Sequence, residues 1–281
     1  MLIDTHCHLM EPHFKADVAS VLQNSALAGV SKLLNIGCHL EGSRDSDCMC
    51  RPEYLKEIEG ILGDNAILPQ IYGSQGIHPH DSNQTTDEVM GDFEKVIRSN
   101  KRIVVIGETG LDYFYMNQPK EMQLSSLRKH MVLAEETGLP VSIHCRDAAD
   151  SLEARKDMLR ILAEFPKVRC VMHCFVQDQE YADAVLAMPV GHILSFGGVV
   201  TYPSSEALRK VASGVPVDRF VVETDSPYLT PQAFRGKRNE PAFVVATAKV
   251  LAEVRGVEVE EIERLTNGTA ERFFGILGSN Y

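Results

Sequence analysis

Eight short apolar runs rich in Val, Ile and Leu recur along the chain, at 2–8, 32–38, 66–78, 103–111, 140–145, 168–175, 192–199 and 220–225. Between them lie segments of helix length, 14–28, 52–62, 87–99, 119–137, 149–165, 179–188, 204–213 and 239–255, with apolar residues three and four apart. Several stop at a glycine (Gly29, Gly63, Gly138, Gly214, Gly256), the residue that most easily ends a helix in a left-handed conformation. Parallel neighbours need a crossover of a dozen or more residues, so this repetition predicts parallel β/α units. A further amphipathic segment, 258–274, predicts one extra C-terminal helix.

Eight such units either close into a (β/α)8 TIM barrel or lie in an open, doubly wound sheet. Closure is preferred because ionisable residues end strands 1, 4, 5, 6 and 8, and only a barrel brings the first and last strands together. A barrel of this kind takes about 250 residues, so the 281-residue chain is expected to be a single domain over 1–281. No interdomain linker, clear repeat or low-complexity tract is present. The least regular stretch, 39–51, carries Cys48 and Cys50 with Cys38 and His39 nearby, in a spacing that fits no standard zinc motif. It is expected to be a variable surface loop.

The formal net charge of −11 argues against a protein that coats nucleic acid with a broad basic surface, though divalent cations in a cleft would reverse the local sign. No apolar run approaches the roughly 20 residues of a membrane span. Met1 is followed directly by strand-like sequence, so no secretory leader is expected, and the seven cysteines suit reduced thiols better than a disulfide framework. A cytoplasmic setting is expected, with no membrane association and no obligate protein partner.

Chemistry concentrates at the strand ends. Strand 1 contains Asp4-Thr5-His6-Cys7-His8, where strand alternation puts both histidines on one face. Taken alone, that spacing serves a metal pair or the polar end of a strand equally well. Strand 4 runs into Gly107-Glu108, strand 5 ends at His144, strand 6 at His173 and strand 8 at Asp225. In a barrel all lie on the C-terminal face, so four imidazoles and two carboxylates converge. That set suits Zn, Mn, Fe or Co, with Mg if oxygens complete the shell, and Glu108 is the natural bridge between two ions. Cys7, Cys145 and Cys174 adjoin ligands but face the opposite side of their strands.

The chain resembles the TatD-related metal-dependent deoxyribonucleases, within the amidohydrolase-like metallo-barrels. The resemblance spans essentially the full length. It rests on Asp4-Thr5-His6-Cys7-His8, Gly76-Ile77-His78-Pro79-His80, Ile106-Gly107-Glu108-Thr109-Gly110-Leu111-Asp112-Tyr113, His144-Cys145-Arg146, His173-Cys174-Phe175, Glu223-Thr224-Asp225-Ser226-Pro227-Tyr228-Leu229 and Gly236-Lys237-Arg238-Asn239-Glu240-Pro241. It implies two divalent metal ions (Mg, Mn or Zn) on His6, His8, Glu108, His144, His173 and Asp225. It also implies hydrolysis of DNA phosphodiester bonds, as a 3′–5′ exonuclease of low sequence preference. The segment 39–51 matches no motif of the family and lies on the active-site side.

Asp225 is placed to ligate metal and to accept the proton of a water molecule, with Glu108 as bridge. His78 is assigned to phosphate contact or leaving-group protonation, with a structural turn histidine as the alternative, and His80 is read as structural. Glu223 either supports a ligand or balances buried charge. Arg146, Lys237 and Arg238 are candidate phosphate contacts, against solvated surface charges for the last two. Tyr113, Tyr115 and Tyr228 either stack on bases of a single-stranded or frayed DNA end or wall the pocket. The competing activity is hydrolysis of a carboxylic ester or amide, such as a D-aminoacyl-tRNA, since metal-activated water attacks carbonyls equally well.

Overall fold

The apolar runs are buried on both faces, as strands in a β/α layer must be, and the spacers cover them. In order the chain forms β1 (Leu2–Cys7), α1 (Val18–Leu27), β2 (Val30–Asn35), α2 (Leu40–Met49), α3 (Pro52–Leu62), β3 (Gln70–Gln75), α4 (Asp87–Ser99) and β4 (Ile103–Asp112). Then follow α5 (Lys120–Thr137), β5 (Val141–Arg146), α6 (Glu153–Glu164), β6 (Cys170–Met172), α7 (Gln179–Leu186), β7 (Ile193–Phe196), α8 (Glu206–Gly214), β8 (Phe220–Val222), α9 (Val244–Arg255) and α10 (Val259–Phe274). This computed structural model describes residues 1–10 and 12–276. Neighbouring strands pair in parallel, in the unbroken order β1 to β8. A doubly wound sheet would reverse that order at a switch point. β8 returns to β1: Thr5 Oγ1 donates to the Val222 carbonyl at 2.9 Å, Asp225 N to the His6 carbonyl at 2.9 Å and His8 N to the Ser226 carbonyl at 2.8 Å. The architecture is the expected (β/α)8 barrel.

The extra helix has a structural task. Ile3, Leu34, Val105, Val171, Ile193 and Val221 cluster with Phe273 and Phe274 of α10. The same helix holds the N-terminal strand ends: Ile3 N donates to Asn267 Oδ1 at 3.1 Å, and the buried Lys32 ammonium donates to Glu271 at 2.6 Å. Apolar and ionic contacts thus close the barrel end opposite the candidate site. Among the described residues no helix is long and apolar enough to cross a membrane.

The stretch 39–51 corrects the expectation of a loop, because 40–49 are the helix α2. His39 caps it, accepting from Gly42 N at 3.1 Å. Its buried face is Gly42, Ser43, Ser46 and Met49, so an apolar period is absent and the helix escapes a hydrophobicity reading. The hydroxyls replace that period: Ser43 Oγ donates to the Gly76 carbonyl and accepts from Gly76 N, while Ser46 Oγ donates to the Asn35 carbonyl and accepts from Ser74 N. A Cβ on Gly37 would lie 2.7 Å from Ser43 Cα, which shows how closely the helix approaches the segment just after β2. Other boundaries move for local reasons. Pro69 has no N–H to give the ladder before β3, and Pro241 opens a 3₁₀ turn that delays α9 to Val244.

Candidate metal centre

The extended β1 does what its alternation requires, and brings His6 Nε2 and His8 Nε2 to 3.2 Å. His8 Nδ1 faces the Ile36 carbonyl at 2.8 Å, and a carbonyl only accepts, so Nδ1 carries the hydrogen and the Nε2 lone pair faces inward. His173 Nδ1 meets Glu223 Oε1 at 3.1 Å, turning its Nε2 toward Glu108 Oε1, also at 3.1 Å. His144 Nε2 meets Asp112 Oδ2 at 3.1 Å, turning its Nδ1 toward Glu108 Oε1 at 3.0 Å. Lone pairs therefore confront carboxylate oxygens, an arrangement that a cation between them satisfies.

Glu108 sits between two such groups. Its Oε2 lies 3.4 Å and 3.6 Å from the Nε2 atoms of His6 and His8. Its Oε1 faces His144, His173 and, at 3.5 Å, His78 Nε2. Asp225 Oδ1 completes the first group, 3.4 Å from His8 Nε2 and 3.8 Å from His6 Nε2. Bonds of about 2.0–2.2 Å at near-tetrahedral angles put ligand atoms roughly 3.2–3.6 Å apart, so these separations fit a small divalent ion. Three overlapping ligand groups result: His6, His8 and Asp225; His6, Glu108 and His173; and His78, Glu108 and His144.

The electrostatics agree. Burial alone would push Glu108 up and His173 and His8 down. Glu108 is nevertheless held well below the usual carboxylate range by the imidazoles around it, His173 and His78 first and then His144. His8 and His173 are held well above the ordinary histidine value, chiefly by Asp225 and Glu108 respectively. Asp225 is lowered against its burial by His8, His173 and His6. Such a field favours positive charge at the centre.

His78 differs from the others. His80 N donates to its Nδ1 at 3.2 Å, so Nε2 carries the hydrogen and presents a donor where the ligand histidines present lone pairs. Burial drives its pKa down to about 3, the neighbouring Glu108 charge notwithstanding. The structure thus gathers all six expected ligands and sets His78 beside them.

The expected substrate contacts divide. Arg146 is exposed, with its guanidinium over the rings of Phe114 at 4.2 Å and Tyr115 at 4.8 Å. Tyr228 is 46% exposed and stands edge-on to His8, 6.2 Å between ring centroids. Lys237 is exposed on the loop after β8. Arg238 departs from the expectation of a phosphate contact: it donates to both oxygens of Asp17, to Glu240 and to the His13 carbonyl, and lies over the Phe14 ring. Two carboxylates already claim its charge. Tyr113 departs too, being buried with its hydroxyl on Asp157 at 3.0 Å. Cys7 and Cys145 turn away, Cys7 donating to the Leu34 carbonyl and Cys145 accepting from Tyr181.

Sequence reasoning offered Glu223 as a support and missed two others. Asp112 accepts from both His144 and His80 at 3.1 Å and from the backbone of Phe114 and Tyr115. Asp4 Oδ1 accepts from Thr224 N at 2.9 Å and Oδ2 from Thr224 Oγ1 at 2.6 Å, tying β1 to the segment that carries Asp225. An acidic residue inside an apolar strand was the available signal for both.

Fold and donor set together define a (β/α)8 metallo-barrel. The family model described as TatD related DNase matches residues 3–275, and the chain belongs to that family. It is 34% identical over 278 residues to the uncharacterized metal-dependent hydrolase YabD of Bacillus subtilis (strain 168), covering 98% of this chain and 100% of YabD. It is 36% identical over 280 residues to the uncharacterized metal-dependent hydrolase YcfH of Escherichia coli (strain K12), covering 98% and 96% of the two chains. Among solved structures, YJJV, a TatD homologue from Escherichia coli K12, superposes with a TM-score of 0.81 at 25% identity over 98% of each chain. The protein is a metal-dependent hydrolase.

Proposed function

We propose that the protein hydrolyses DNA phosphodiester bonds as a 3′–5′ exonuclease of low sequence preference, on single-stranded or frayed ends. The observation that carries the reading is the position of Glu108, with Oε2 toward His6 and His8 and Oε1 toward His144 and His173. One carboxylate facing two ligand groups suits two divalent ions, Mg, Mn or Zn, on His6, His8, Glu108, His144, His173 and Asp225. Such ions supply positive charge to the phosphoryl oxygens and acidify a water molecule.

The chain's own residues do the rest. Asp225, kept ionised by the imidazoles around it, accepts the proton of the attacking water. His78 presents its Nε2 hydrogen to a phosphoryl or leaving oxygen. Arg146 and Lys237 meet phosphates, and Tyr228 with Tyr115 offers exposed ring faces to unpaired bases. The seven free thiols support a reducing, cytoplasmic setting.

The test is a side-by-side assay of single-stranded DNA, labelled at the 3′ or the 5′ end, and a D-aminoacyl-tRNA, each with Mg, Mn or Zn. Metal-dependent loss of the 3′ label, abolished by chelation and restored by add-back, is the expected result. Deacylation with intact DNA would transfer the function to carboxylic esters, and cleavage that survives exhaustive chelation would remove the metal reading.

A further inference from the structure

The ladder between β3 and β4 ends at Gln75 and Ile106. The strands still touch just beyond it, where a Cβ on Gly76 would lie 2.3 Å from Gly107 Cα. Past that pivot each chain carries one member of the centre, His78 or Glu108. Ile77 is fully buried, and its N–H is met by a side chain from outside the barrel: it donates to Nε2 of His130, on α5, at 3.1 Å.

The tautomer of His130 follows from its neighbours. A backbone N–H only donates, so Nε2 is the unprotonated nitrogen. Nδ1 faces the Ser126 carbonyl at 2.8 Å and therefore carries the hydrogen, which also lies toward Thr109 Oγ1 with the nitrogen 3.3 Å away. His130 is fully buried, and burial lowers its pKa to about 4, which keeps it neutral. One ring thus reaches the residue before His78 and the residue after Glu108.

We propose that His130 is a positioning residue of the metal centre, wedged between the parting ends of β3 and β4 so that it sets the separation of His78 Nε2 from Glu108 Oε1, 3.5 Å in this structure. The inference rests on the metal-centre reading and is independent of which bond is hydrolysed. Both ends are also tied to the segment after β2, His78 N donating to the Cys38 carbonyl at 2.7 Å and Glu108 N to the Gly37 carbonyl at 2.8 Å, so removing the wedge frees the Ile77 link alone and touches no ligand.

Two amide replacements separate the contacts. His130→Gln carries an acceptor at the reach of Nε2, so it keeps the Ile77 contact on which the proposal turns and gives up the longer approach of Nδ1 to Thr109 Oγ1. His130→Asn carries an amide at the reach of Nδ1, which keeps Ser126 and leaves Ile77 unpaired. Turnover of bis(para-nitrophenyl) phosphate with Mn²⁺ is measured per folded, metal-loaded molecule, and Mn²⁺ affinity by competition with a chelating dye. By analogy with supports of metal ligands elsewhere, His130→Asn is expected to lose at least about tenfold in kcat and about tenfold in Mn²⁺ affinity, with KM changed less than about threefold. His130→Gln is expected to stay within about threefold of the parent on all three. A merely structural histidine would lower the melting temperature of both variants and leave kcat and affinity per folded molecule alike.

Equal kcat and affinity in the two variants overturn the proposal, as does a loss confined to His130→Gln. Should His130→Asn not fold, His130→Ala takes its place with the same expected loss, since water there pairs Ile77 without fixing the spacing. If the parent protein leaves the diester intact, the phosphodiesterase reading fails, and the Mn²⁺ affinities alone judge His130.

Discussion

The two sides of the metal centre are held by different means. On the β1–β8 side, His6, His8 and Asp225 hang from backbone that barrel closure itself secures, through Asp225 N to the His6 carbonyl and His8 N to the Ser226 carbonyl. On the β3–β5 side His144 rides the β4–β5 ladder opposite Gly110, the backbone N–H groups of Glu108 and His78 donate to the Gly37 and Cys38 carbonyls, and the side chains of Asp112 and His130 add contacts to His144 and to Ile77. The first side is a property of the fold. The second adds side-chain supports to its backbone bonds, and single substitutions can loosen those supports while the barrel persists.

The largest effect is expected on the first side, at the residue proposed to accept the proton of water. Asp225→Asn keeps one coordinating oxygen and removes the proposed base, so kcat should fall at least about 10²-fold with DNA affinity changed only modestly. Both are to be measured with metal occupancy checked by elemental analysis. Near-normal kcat at full occupancy would move the proton acceptor elsewhere.

The contrast between the sides is tested by their supports. Asp112→Asn leaves His144 Nε2 without its carboxylate, and metal affinity and turnover should each fall about 10- to 100-fold. Calorimetric titration with Mn²⁺ reads this directly. Asp4→Ala is the counterpart on the first side. It strips acceptors from Thr224 N and Oγ1, so it should cost about 1–3 kcal/mol in urea denaturation while leaving Mn²⁺ affinity per folded molecule nearly unchanged. If Asp4→Ala weakened metal binding as much as Asp112→Asn, the distinction between the two sides would collapse.

The smallest effect is on pH dependence. Folded His130 titrates near 4 against an ordinary 6.5, because burial opposes its charge. Below 6.5 the unfolded chain takes up a proton that the folded protein refuses, so stability is lost as pH falls from 6.5 toward 4. One such group contributes at most about 1.4 kcal/mol per pH unit. Denaturant midpoints across that window should fall less steeply for His130→Gln than for the parent. Superimposable slopes would show that His130 is not a source of the acid sensitivity.

Much of this molecule was legible in local pattern. Runs such as Ile103-Val104-Val105-Ile106 announced buried strands, and the helix-length spacers announced parallel order. The ligand residues could be named because each ends such a run, where a barrel puts its chemistry. The failures have equally specific causes. α2 was hidden because its buried face is Gly42, Ser43 and Ser46 with Met49 alone apolar, which leaves no apolar period. Arg238 looked like a phosphate contact because nothing local shows that Asp17, more than two hundred residues earlier, claims its guanidinium. Tyr113 looked like its neighbour Tyr115, yet only Tyr115 reaches the surface.

By itself, then, the sequence determined the number of strands, their parallel succession and the residue types delivered to one end of the barrel, since those depend on neighbours within a few positions. Only the tertiary structure decided which nitrogen of each histidine faces the centre, that Glu108 presents one oxygen to each ligand group, and that Asp112 and His130 stand behind them. A ring nitrogen takes its proton according to the partner across from it, and barrel closure and the return of α5 bring that partner from a distant part of the chain.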